Sequence, residues 1–463
     1  MALVFERVLT EGLGDLSYLI GDDEAGIAAV IDPRADVEVY LRLAHEHKVA
    51  ITHILQTHIH EDFLCGAVAL AKRVGGAVLP MRHAGGARYG YEHRELHDGE
   101  RITLGSVLLT ARATPGHTPE HTAFLIAEKE HLHDPYAVFS GGSLLVNAAG
   151  RCDLLGLEEA QRLVVAQYET LYKFFLGLPE HVIVHPTHAH GSPCGASIGD
   201  RLSSTIGYER KFNPFLQHSD FDSFKAFALG NLPAKPTYYS RLKEANTAGN
   251  GMTHPPAVAA LPARTFQSAF QSAPDPVIVD TRDMHAFAGG HIPGSINIGS
   301  LPELSIWAGW MLDPQESIFL VMERDADLDR IVSLFQRTGF TALAGYLVGG
   351  MKAWCTAGLP LATLAPMPVH ALEPQLRDRC VLDVRADEEW AEGRIPGAKH
   401  IFLPELPRRL QELDPAKPIS VYCATGYRAS IASSLLKREG FKLAETIPGS
   451  WQAWCNAKLP KEA

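Results

Sequence analysis

VIVDTRDMHAFAGGHIPGSINI (277–298) and CVLDVRADEEWAEGRIPGAKHI (380–401) are two copies of one pattern. Asp280 and Asp383 stand 383 − 280 = 103 positions apart, and Pro293 and Pro396 keep the same offset. The match continues through LFQRTGF (334–340) and LLKREGF (435–441), then through MKAWCTAGLP (351–360) and WQAWCNAKLP (451–460). A period of about 100 residues is too long for a solenoid and marks a duplicated domain. Each copy reads as a short apolar strand, a turn, a second strand and a helix, the signature of βα units on a parallel sheet. VIVD, VLDV and ISVYC (419–423) are such strands.

The duplicated part follows a different unit, residues 1 to about 245. It carries β-type runs such as AGIAAVIDP and AVFSGGSLLV, with helical stretches such as CGAVALAKRVG between them. ANTAGNGMTHPPAVAALPA (245–263), rich in Ala, Gly and Pro, reads as a linker, and PLATLAPMPVHAL (360–372) as a shorter one. The expected domains are therefore 1–245, 246–362 and 363–463.

Composition narrows the function classes. Of 463 residues, 46% are hydrophobic and 21% charged, as in soluble globular proteins. A net charge of −11 without a local basic cluster argues against nucleic-acid binding. No run reaches the roughly 18 apolar residues of a membrane helix, and the start has no signal-peptide pattern. Seven scattered cysteines suit a reducing compartment, so a cytoplasmic enzyme is expected. The oligomeric state, a homo-oligomer included, stays open.

Three histidine clusters end apolar runs in the first unit. ITHILQTHIHED supplies His58, His60 and Asp62; ATPGHTPEH supplies His117; IVHPTHAHGS supplies His188. Strand-end imidazoles brought together by turns are what a mononuclear or dinuclear metal site requires.

These motifs resemble the metallo-β-lactamase superfamily over the whole first domain, and within it the persulfide dioxygenase branch. FSGGSLLVNAAGRCDLLG (139–156), HPTHAHG (185–191), YERKFNP (208–214) and KPTYYSRLKEANTAG (235–249) carry that resemblance. It implies an αββα sandwich and a non-haem Fe(II) on His58 and His117, with Zn as the other candidate metal. Such a site would act on persulfides of low-molecular-weight thiols such as glutathione. Arg151 and Arg210 match basic positions near the glutathione part of the substrate. The chain departs from the pattern twice. Gly142 stands where the branch has an aspartate ligand, and Phe63 stands where dinuclear hydrolases of the glyoxalase II type have histidine. The ligand that replaces the aspartate is then His60, Asp62 or His188. The sequence leaves three readings open: a rearranged mononuclear site, a weakly held metal, or a binding module without catalysis. In a merely degraded site, Gly142→Asp would raise metal affinity.

ISVYCATGYRASIASSLLKREGF (419–441) places Cys423 at the end of a buried-type strand, a loop with Gly426 next, then a helix. Backbone N–H groups converge over such a loop and favour a sulfur anion. Arg428 lies 428 − 423 = 5 residues on, one position short of the C-x5-R phosphatase spacing, so the loop suits a single sulfur. The segment resembles the rhodanese family, whose nucleophilic cysteine carries a persulfide and draws sulfur from donors such as thiosulfate. Asp383 and Arg385 read as a structural pair, and Cys355, Cys380 and Cys455 as packing residues. In the first copy Met322 takes the cysteine position (423 − 322 = 101), and Glu323, Arg324 and Asp325 replace the small loop residues. A thioether cannot become a persulfide nucleophile, so this copy is expected to keep the fold without the chemistry. The fold class expected overall is α/β: an αββα metallo-β-lactamase sandwich followed by two α/β rhodanese domains with parallel sheets.

Overall fold

The first five strands, β1 (Leu3–Thr10), β2 (Asp15–Asp22), β3 (Ile27–Ile31), β4 (Ala50–Gln56) and β5 (Ala77–Pro80), form one sheet in sequence order. A computed structural model describes residues 3–462 apart from 81–87, 196, 231, 250, 251 and 253. The next six, β6 (Arg101–Leu104), β7 (Val107–Ala113), β8 (Thr122–Glu128), β9 (Ala137–Gly141), β10 (Ile183–Pro186) and β11 (Ser204–Thr205), form a second sheet in reverse order. Leu16, Tyr18, Ile20 and Leu55 of the first sheet meet Leu109, Phe124 and Phe139 of the second in a shared core. Helices Glu38–Glu46 and Ala67–Val74 cover the outer face of the first sheet. Helix Leu157–Glu169 covers the second. This is the αββα sandwich. Strand β2 has no exposed residue, because both its faces are covered.

The chain divides into two compact units, residues 1–255 with 333–339, and residues 256–332 with 340–463. In the first unit, the Arg337 guanidinium bonds the Asp36 carboxylate at 3.0 Å. The stretch expected to be a linker begins as structure: helix Tyr239–Ala248 runs into it, and its Asn246 is buried. Part of that linker, residues 250, 251 and 253, lies outside the described residues.

The second unit holds two parallel sheets. One joins β12 (Ala260–Leu261), β13 (Pro276–Asp280), β14 (Ile296–Asn297), β15 (Ser317–Val321) and β16 (Gly345–Leu347) in the order β12-β16-β15-β13-β14. The other joins β17 (Cys380–Asp383), β18 (Lys399–His400), β19 (Ile419–Tyr422) and β20 (Ala444–Thr446) in the order β18-β17-β19-β20. The duplication extends to single bonds. Arg282 grips Asp280 as Arg385 grips Asp383, at 2.6 and 2.7 Å. Trp354 Nε1 donates to the Pro360 carbonyl as Trp454 Nε1 does to that of Pro460, at 2.8 and 2.7 Å. Breaking such a buried charge pair from one side costs about 3–5 kcal/mol. The packing expectation fails at Cys355, which is exposed, and holds in part at half-buried Cys380 and Cys455. Among the described residues no helix is long and apolar enough to cross a membrane.

Asp22 ties the end of β2 to the turn before β7. It accepts from Ser106 N at 2.7 Å, Ser106 Oγ at 2.6 Å and Ala25 N at 3.0 Å. The Ser106 bonds pull its pKa down to about 2. A depressed carboxylate stabilises the fold above its unfolded pKa of about 4 and loses that contribution as pH falls toward the folded value. The stability gap between wild type and Asp22→Asn should therefore narrow from pH 4 to pH 2 in thermal unfolding. A gap independent of pH in that window would contradict the assignment.

Candidate metal centre and sulfur-transfer loop

Strand β4 runs into the loop that carries His58, His60, Glu61 and Asp62. Asp32, at the end of β3, holds its start. Its carboxylate accepts from Thr57 N and Thr57 Oγ1, each at 2.7 Å, and from Thr187 Oγ1 at 2.6 Å. Ile59 N donates to Glu120 Oε1 at 2.8 Å. Asn246 closes the far end: its Nδ2 donates to the His60 and Phe63 carbonyls, and its Oδ1 accepts from Cys65 N, each at 2.8 Å.

The hydrogen bonds assign the tautomers. Thr57 Oγ1 gives its one proton to Asp32, so it accepts from His58 Nδ1 at 2.8 Å and leaves the His58 Nε2 lone pair free. His117 Nδ1 donates to the Arg151 carbonyl at 2.7 Å, and its buried Nε2 has no partner. His188 Nδ1 lies 3.0 Å from both Asp15 Oδ1 and Asp62 Oδ2, while its Nε2 faces His58 Nε2 at 3.4 Å. One nitrogen from each of His58, His117 and His188 falls within a common 4.8 Å, and all three side chains are buried.

A second group, His60, Asp62 and His188, also comes within that distance. In it His60 Nε2 also sits 3.1 Å from Asp32 Oδ1, and Asp62 Oδ2 holds His188 Nδ1, while Asp62 Oδ1 is buried without a hydrogen-bond partner. Burial keeps His117 down at about 3 and His58 well below the usual imidazole range, so both are neutral donors. Burial works against charge on His188 too, but Asp62 and Asp15 overcome it and lift that ring to about 10. A cation at His188 Nε2 therefore competes with a proton.

Position 142 has no room for a side chain. A Cβ there would lie 2.2 Å from His117 Cδ2, and one at Gly150 would lie 2.6 Å from His117 Nδ1. The His117 ring fills the slot between two glycines. His121 seals the back: its Nε2 accepts from Gly142 N at 2.8 Å, and its Nδ1 meets Ser143 Oγ at 2.9 Å.

In the second unit, Cys423 follows β19 directly. Gly426 N donates to Cys423 Sγ at 3.1 Å, and Cys423 N donates to Ser450 Oγ at 3.2 Å. Gly426 has φ +125° and opens helix Tyr427–Arg438. Arg428 is held by both Glu389 oxygens, one of them at 2.7 Å. Burial opposes its charge, but Glu389 and Cys423 keep its pKa above the ordinary arginine value. In the other copy Met322 is buried, and the Asp325 carboxylate accepts from Gly349 N at 3.1 Å. That bond ties the loop to the start of the helix Gly350–Thr356.

The model of the rhodanese-like domain matches residues 265–357 and 369–457. The mitochondrial persulfide dioxygenase ETHE1 of Homo sapiens is 29% identical over 220 residues, covering 47% of this chain and 77% of that protein. A hydroxyacylglutathione hydrolase of Polaromonas sp. is 33% identical over 271 residues, covering 52% and 98%. The crystal structure of a metallo-beta-lactamase from Staphylococcus aureus subsp. aureus COL matches with a TM-score of 0.67 and 26% identity, over 75% of this chain and 99% of that one. The chain belongs to the metallo-β-lactamase-fold family. Two rhodanese-like domains follow the metallo-β-lactamase-fold unit.

Within that unit the structure brings His58, His117 and His188 together with Asp62, and turns His60 toward Asp32. The two arginines are engaged elsewhere. Arg151 donates to Asp153 from Nε at 2.7 Å and from Nη2 at 2.8 Å, and its Nη1 donates to the Pro193 and Pro233 carbonyls. Arg210 pairs with Glu180 at 3.0 Å and donates to the Leu176 carbonyl at 2.7 Å. Phe63 lies tilted against His60 with ring centroids 4.3 Å apart. The rhodanese-like loop has Cys423, Gly426 and Arg428 together, as read from the sequence.

Sequence reasoning missed Asp15, Asp32, His121, Cys194 and Asn246. Asp32 could have been found, since it ends an apolar run as the histidines do. Cys194 Sγ lies 3.4 Å from Asp62 Oδ2 and 3.5 Å from the Tyr239 hydroxyl, and burial pushes its thiol well up. Asn246→Ala should leave two carbonyls and one N–H buried without partners, a loss of about 3 kcal/mol, or about a hundredfold faster hydrogen exchange over residues 57–66. Unchanged exchange there would contradict this role.

Proposed function

We propose that the metallo-β-lactamase-fold unit oxidises a low-molecular-weight persulfide, such as glutathione persulfide, with O2 to sulfite. We further propose that the last rhodanese-like domain moves sulfane sulfur through Cys423. The observation that carries the first half is the set of neutral Nε2 donors of His58 and His117, beside Phe63. Both rings are locked with a lone pair turned to one point, and Phe63 fills the position from which a second ion would need an imidazole. A bound Fe(II) would supply open positions for O2 and a thiol-derived sulfur. The chain's part is to hold those positions dry: the donors and the groups behind them are buried. The persulfide dioxygenase relatives support this reading.

In the second half, the Cys423 thiolate attacks the outer sulfur of a persulfide or of thiosulfate. A thiolate or sulfite leaves, and Cys423 carries the sulfur as a persulfide. An acceptor thiolate then attacks that sulfur and releases Cys423. Gly426 N–H donates to Cys423 Sγ, and Arg428 supplies a fixed positive charge nearby. Fusion of the two activities keeps their shared intermediate at high effective concentration.

The hydrolase relative favours a second reading, thioester hydrolysis, which requires two ions per chain. Protein reconstituted with Fe(II) should hold about one iron per chain, consume O2 and release sulfite from glutathione persulfide. Two metals per chain with thioester turnover would replace the proposal. Sulfur transfer with neither metal nor O2 uptake would reduce the first unit to a binding module. Cys423→Ser should abolish thiocyanate formation from thiosulfate and cyanide and leave O2 uptake intact. Gly426→Ala, strained at φ +125° and pressed onto Met284 Sδ, should lower thiocyanate formation about tenfold or more, a barrier change of about 1.4 kcal/mol.

A further inference from the structure

The metal reading above leaves open what replaces the carboxylate ligand lost at Gly142. We propose that His188 takes that place, that His58, His117 and His188 form an all-nitrogen metal site, and that Asp15 and Asp62 are the positioning residues that aim His188. The inference rests on the first unit being a metal site, though not on which reaction it performs.

Three observations carry it. The tautomers are set from outside the site. Thr57, the Arg151 carbonyl, and the Asp15–Asp62 pair each engage the Nδ1 of one ring, so each Nε2 points inward. Secondly, His117 occupies the volume from which a residue-142 side chain would have to start. A carboxylate at 142 and this His117 position exclude one another. Thirdly, one oxygen of each other carboxylate near the site is turned to a group behind it. Asp62 Oδ2 holds His188 Nδ1 and accepts from Cys194 Sγ, and Asp32 faces His60. Asp15 enters from the start of β2. Leu16 N donates to the Thr187 carbonyl at 2.6 Å, which pins that strand end against the His188 loop.

Carboxylates behind a ligating imidazole fix its orientation and raise its basicity, and losing one lowers metal affinity about 10–100-fold. The proposed set differs chemically from two histidines and a carboxylate. Its ligands are neutral, and the two carboxyl groups stand one layer out. A divalent ion there keeps its full charge toward the open side, which favours an anionic sulfur ligand over a neutral one.

Co(II) is the probe, because uptake does not depend on the reaction catalysed and its visible spectrum reports the ligand set. The full-length chain should bind about one Co(II). His188→Ala and His188→Gln should weaken binding at least a hundredfold. Asp15→Asn, which keeps size and fold, should weaken it about tenfold or more and shift the visible bands. Gly142→Asp should weaken it also. Tighter Co(II) binding in Gly142→Asp, wild-type affinity in both His188 variants, or a His60→Ala loss equal to theirs would overturn the proposal. No Co(II) uptake by the wild type would overturn it together with the metal reading. Co(II) uptake with the expected variant pattern, but without sulfite release from the iron form, would uphold the site and remove the persulfide reading alone.

Discussion

The first unit depends on where one imidazole lies. His117 donates from Nδ1 to the Arg151 carbonyl and lays its ring edge into the space left by Gly142 and Gly150. The carbonyl is fixed because Arg151 itself is bound on all sides by Asp153 and two proline carbonyls. Its backbone N also donates to the Cys194 carbonyl, at 2.8 Å. From this follow the free Nε2 and the exclusion of any side chain at 142, while burial keeps His117 neutral against the pull of that carbonyl. The arginine read from the sequence as a substrate contact thus acts on the site through its own carbonyl. Its charge serves to hold that carbonyl in place.

The duplicated part gives a controlled comparison within one chain. Both copies keep the same strand order around their loop, the same Asp–Arg clamp and the same Trp-to-carbonyl bond. They differ in the loop itself. In one, Gly426 N–H is turned on the Cys423 sulfur; in the other, Asp325 stands at the glycine position and its carboxylate accepts from Gly349 N, at the start of the helix Gly350–Thr356. An N–H cradle calls for an anion. One copy turns an N–H on a sulfur, and the other has a carboxylate-bearing residue where that N–H donor's glycine stood.

Much of this was legible in the residues. Apolar runs closed by His58, His117 and His188 gave the strand ends, and the spacing of Cys423, Gly426 and Arg428 gave the sulfur loop. The 103-residue offset gave the duplication. What stayed hidden has a physical cause in each case. Asp15 sits in GLGD, a stretch with no ligand spacing, and it reaches His188 across 173 positions of sequence. The orientation of His60 depends on Asp32, a contact between two strand ends that no local pattern shows. Asn246 was read as linker because composition does not reveal that its amide is buried and has three partners. Gly142 looked like a lost ligand from the sequence alone. In the fold it is the space that admits His117.

The most direct measurement is X-ray absorption at the iron edge of the Fe(II)-loaded chain. Multiple scattering from imidazole rings counts histidine ligands, and the account predicts three, with the remaining positions light-atom donors of solvent. The same spectrum from His188→Gln should show two. Two imidazoles in the wild type, with a protein carboxylate in the fitted shell, would contradict it.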